Sequence, residues 1–149
     1  MRSYPRNSPH AAARVVALTV LADGHLGHQE IDALQRIDVA GRLDLSQADF
    51  MGVLQAVCDD LMASSHQHWS GIQHLPRTEL KQMLDEIDDV GLRLIVMEIC
   101  AALCECDQNL ADAEYEMLCT QADHWDLPLP VLRTTSMHLM RSVDAGAVA

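Results

Sequence analysis

Apolar residues recur at helical spacing along most of the chain. From His10 to Ala22, the side chains of Val15, Leu18, Leu21 and Ala22 share one face, and Asp23-Gly24 ends the run. The pattern restarts from His28 to Leu43 with Ile31, Leu34, Ile37 and Leu43. Ser46, followed by Asp49, is an N-cap signal for a third helix carried by Phe50, Val53, Leu54, Val57, Leu61 and Met62. Residues 64–76, SSHQHWSGIQHLP, break the period and read as the joint between two halves. Thr78–Asp89 is a short amphipathic helix with Leu80, Met83, Leu84 and Ile87. Gly91 separates it from LRLIVMEICAALCEC, which is expected to be the most buried helix. A further helix runs from about Asp112 to His124 and is closed by DLPLP; Pro128 or Pro130 then opens a last one, to about Ser142. Strand alternation is absent from the sequence. The pattern predicts an all-α, compact bundle of about seven helices. It forms a single domain over 1–149, with a first half at about 10–64, a second at about 77–142, and disordered ends.

One short stretch, ADGHLGHQE at 22–30, has the back half of a calcium loop: Asp23, Gly24, Leu26 and Glu30 fit its later positions. The front half does not fit, because Thr19 and Leu21 fall where carboxylates belong. The corner occurs twice. At an offset of 84 residues Asp23 falls on Asp107, Leu26 on Leu110, Glu30 on Glu114 and Leu34 on Leu118. Each copy then reaches a similar break, RLDLS in one and HWDLP in the other. Two copies in one domain are expected to pack about a pseudo-twofold axis, bringing the two Asp and two Glu together.

Composition sharpens this picture. Aromatics are 3% against 49% apolar residues, so the core is aliphatic, as suits helices packed on helices. Net charge is −12 and Lys81 is the single lysine. Nucleic acid and anionic membrane surfaces are thus excluded as expected ligands, and cations or basic partners are favoured. No apolar run is long enough for direct membrane insertion. Five Cys without a CxxC pair fit small buried thiols in a reducing compartment, hence a cytoplasmic location. Cys100 and Cys104 share a helix face and are expected to be reduced and buried.

The repeated helix, Asp-Gly, Leu, Glu, helix and break resembles the TerB-like tellurite-resistance domain family, over roughly Val15 to Leu139. The related N-terminal domain of a membrane-anchored DnaJ-type cochaperone shares the pattern, but no J-domain is present. The resemblance implies a compact helical fold of two pseudo-repeated halves and an acidic cluster suspected of holding a divalent cation. Carried onto this chain, the metal positions are Asp23, Glu30, Asp107 and Glu114. Two departures are Gln108 in place of the usual Gly, and Gly27 and Ala111 where Ser or Thr is common.

A plainer reading stands beside it. Each Glu occupies the third helical position, where it can reach back to the N-cap amide and meet the helix dipole. Gly27 and Ala111 lack the reciprocal hydroxyl of a full capping box. If the four carboxylates converge, a cation, a partner's basic side chain, or Arg14 or Arg36 must offset their repulsion. Oxygen ligands point to calcium or magnesium rather than zinc; His28 reads as an ordinary exposed histidine. His66, His68 and His74 read as a solvated connector anchored by Trp69. There is no nucleophile elbow, phosphate loop or HExxH, so catalytic residues and a bound organic cofactor are not expected. The expected function is a cytoplasmic interaction domain that docks a basic partner surface, or a cation, in a stress- or envelope-associated assembly, with homo-oligomers left open. The alternative is a metal-dependent hydrolase using the same acidic cluster.

Overall fold

The computed structural model describes residues 2–22, 27–64, 75–106 and 112–129. Asp23, Leu26, Asp107, Leu110, the 66–74 histidines with Trp69, and the last expected helix beyond 129 lie outside the described residues. Those described form seven helices and no strand: α1 Pro9–Val20, α2 His28–Arg36, α3 Val39–Arg42, α4 Gln47–Ser64, α5 Arg77–Asp85, α6 Val90–Cys106 and α7 Asp112–Trp125. The fold is all-α.

Helix α1 is the centre of the bundle. Ser8 caps it by accepting the Ala11 N–H at 3.1 Å, with Pro9 at the first helical position. Every residue from Ala11 to Val20 is buried, and α1 packs against α4, α5, α6 and α7. The sequence pattern pointed to α6 as the most buried helix, and the structure differs. Alanines on several faces of α1 let neighbours approach from all sides, whereas α6 leaves Val90, Leu94 and Ile95 exposed.

The expected second helix, His28–Leu43, divides into α2 and α3. Asp38 adopts φ 58°, a left-handed conformation, and its carboxylate accepts the Gly41 N–H at 3.3 Å. Both breaks named in the sequence are formed alike. Asp44 (φ 59°) and Asp126 (φ 53°) are left-handed. Behind them Leu45 N–H donates to Ala40 O and Leu127 N–H to Ala122 O, each at 2.9 Å. These are the six-to-one bonds of a Schellman cap. The likeness is local to the caps.

Residues 2–8 stand ahead of the first half as read from sequence, where a disordered end was expected. In the structure they strap the start of α1 to the α5–α6 turn. Asn7 donates its backbone N–H to Glu86 O at 2.7 Å, and its side-chain oxygen accepts from Asp88 and Asp89 N–H at 2.8 and 3.0 Å. Arg2 forks onto Asp60 at 2.8 and 2.9 Å, and these hydrogen bonds hold the Asp60 carboxyl below the usual range. Beneath the strap lies Arg14, only 2% exposed. Its guanidinium donates to the Glu86 carboxylate and the Arg2 carbonyl and lies 4.7 Å from the centroid of the Tyr4 ring.

Candidate functional site

Four helices meet at a small cleft. Thr19 and Val20 end α1; Gln29, Glu30 and Ala33 come from the start of α2; Leu103 and Cys104 lie near the end of α6; Glu114 opens α7. Its volume is about 30 Å³, room for one water molecule or a small ion.

The two acidic residues arrive there by the same local route. Glu30 is the third residue of α2 and Glu114 the third of α7. Glu30 is half-buried, and its Oε2 accepts the Gly27 N–H at 2.9 Å. That is one half of a capping box; Gly27, extended at φ −106°, has no side chain to return the bond. Capping therefore accounts for one oxygen of Glu30, and the residue still faces the cleft. Glu114 is only 5% exposed, an unusual place for a carboxylate. The structure thus places Glu30 and Glu114 on one cleft. Asp23 and Asp107, the other two expected ligands, lie outside the described residues.

Among the described residues, no three His, Cys, Asp or Glu side chains gather closely enough to hold a metal ion. The cleft is lined largely by apolar surface, from Val20, Ala33 and Leu103, and its polar part is chiefly the oxygens of Thr19, Gln29, Glu30 and Glu114, the donor type that suits a hard cation. His28 is exposed and does not line it, so it supplies no nitrogen ligand there. Neither internal base answers the carboxylates as the sequence suggested. Arg14 is committed to Glu86, and Arg36 is exposed at the far end of α2.

Thr19, set aside by sequence reading because it supplies no carboxylate, lines the cleft and anchors a buried polar chain behind it. Its hydroxyl donates to Val15 O at 3.1 Å and accepts from Gln121 Nε2 at 2.8 Å. Cys100 Sγ lies 3.3 Å away. With the Thr19 proton given to Val15, the thiol is the donor in that contact. The signal available in sequence was a lone threonine inside an otherwise apolar run. Burial pushes the Cys100 thiol up to about 11.

Cys100 and Cys104 are both buried, as expected. Thiol reagents should therefore label both only at the rate of unfolding, and fast labelling of either in the native protein would contradict their burial. Because the native thiol ionises well above the unfolded one, the native state keeps a proton that the unfolded chain loses. Stability should fall by about 1.4 kcal/mol per pH unit between the two pKa values, roughly pH 9 to 11. A Cys100→Ala variant melted across that range should lose this dependence.

Comparison with family models, with curated proteins and with solved structures finds no match. Among the described residues, no helix is long and apolar enough to cross a membrane.

Proposed function

We propose that this chain is a non-catalytic interaction domain of the TerB-like kind, in which the paired helix corners hold a divalent cation or receive a basic side chain of a partner. The observation carrying this reading is the meeting of Glu30 and Glu114 on one cleft, each as the third residue of its helix. The residues pair in the sequence repeat, so an ion between them would bridge the two halves and fix their angle. Calcium or magnesium matches the oxygen donors. Asp23 and Asp107, seven residues before each Glu, are the natural further ligands. The net charge of −12 makes a basic protein surface the complementary partner. A cytoplasmic, stress- or envelope-associated setting completes the proposal.

Thermal melts with chelator and with excess calcium or magnesium test it. Wild type should gain about 2.7 kcal/mol at an ion concentration a hundredfold above the dissociation constant. Glu30→Gln and Glu114→Gln keep the shape and a hydrogen-bonding oxygen but remove the charge, and should each abolish most of that gain. An unchanged wild-type melt would eliminate the cation and leave the cleft to a partner's basic side chain.

A further inference from the structure

The outer face of α6 is apolar where a lone helical bundle should be polar. Val90 is 58% exposed, Leu94 44% and Ile95 40%. Val90 and Leu94 are one helical turn apart, and Gly91 and Ile95 continue the same face, with Gly91 also exposed. Isolated exposed apolar residues are ordinary; several on one face mark a contact surface. The main helix contacts of α6 among the described residues are with α1, α2 and α7, and Val90, Leu94 and Ile95 stay exposed beside them.

Along α6 and the turn before it, the exposed charged residues are acidic. Exposed Asp89 stands before it, one carboxylate oxygen accepting the Leu92 N–H at 2.8 Å. Exposed Glu98 follows Leu94 by one turn on the same face. The one base in the helix, Arg93, is turned aside. Its Nε donates to Ile87 O at 2.7 Å, and its guanidinium lies over the Trp125 ring at 5.6 Å. Arg6, which reaches the turn before α6, is bound to Asp88 at 3.0 Å. The stripe is thus an apolar strip with acidic ends.

We infer that the Val90–Leu94–Ile95 face of α6 docks a basic amphipathic helix of a partner protein, whose apolar residues cover the strip and whose Arg or Lys residues meet Glu98 and Asp89. Helix-on-helix docking supplies apolar burial, and the acidic ends set its direction along α6. This surface is separate from the cleft of Glu30 and Glu114, and the inference stands without the cation.

The test uses the full chain and a synthetic helical peptide with Leu along one half of one face and Arg along the other. Binding is read by fluorescence anisotropy at low and high salt. Leu94→Asp, an exposed position, should weaken binding about tenfold or more. Glu98→Arg should weaken it too, and a peptide with Glu in place of Arg should then prefer the Glu98→Arg chain over wild type. Should Leu94→Asp fail to fold, as judged by circular dichroism, Val90→Asp takes its place. A thiol introduced by Leu94→Cys should react quickly in the free chain. Equal affinity of the Asp variant, or no swap of preference, would overturn the inference. Protection of the introduced thiol in a monomer would give the face to the chain's own residues. A wild-type dimer dissolved by Leu94→Asp would give it to a second copy. Either result overturns the inference as well.

Discussion

Replacing Glu86 by alanine should destabilise the protein by about 3–5 kcal/mol. Arg14 cannot shed its charge and lies 2% exposed on the central helix, with Glu86 as its carboxylate partner. Removing that carboxylate leaves a guanidinium away from water with one carbonyl and the Tyr4 ring for company. The strap suffers too, because the Tyr4 N–H donates to Glu86 Oε2 at 3.0 Å. Urea unfolding gives the measurement. The double variant Arg14→Met, Glu86→Leu should recover much of the loss, since an apolar pair of similar volume needs no solvation. A single Glu86→Ala cost below about 1 kcal/mol, the range of exposed pairs, would show that water still reaches Arg14.

Leu34→Ala and Leu118→Ala should each cost about 2–5 kcal/mol. Leu34 is 2% exposed on α2 and Leu118 0% on α7, and the repeat aligns one with the other. Each truncation removes three carbons from the core and leaves a cavity whose walls, set by helices packed on both sides, close only in part. Equilibrium unfolding of both variants measures this, and a loss under about 1 kcal/mol at either site would place that leucine outside the packed core.

What the sequence made legible was local. Ser46 does cap α4, with Asp49 N–H donating to its hydroxyl at 3.0 Å, and both Asp-Leu breaks end their helices. Glu30 reaches back to the Gly27 amide because that bond spans three residues. The division of α2 from α3 was missed because Asp38 takes a left-handed conformation without a glycine to announce it. Gly91 read as a separator, yet it lies in the first turn of α6, whose start is set by Asp89. Arg14 looked available to the acidic corners because its partner stands 72 residues away; periodicity carries no information on such pairing. Thr19 was passed over as a ligand because its place on the cleft depends on four helices meeting. The repeat aligned Glu30 with Glu114 in sequence, and both line one cleft.

The all-round burial of α1 has a consequence for synthesis on the ribosome. Its twelve residues emerge before the other helices described, and the helix that completes its surroundings, α7, ends about a hundred residues later. At about 5–20 residues per second that interval is roughly 5–20 s. In that interval an Ala- and Val-rich segment gains its neighbours one at a time, first α4, then α5 and α6, and α7 last. A truncation after the first half would leave α1 without α5, α6 and α7, three of the four helices that bury it.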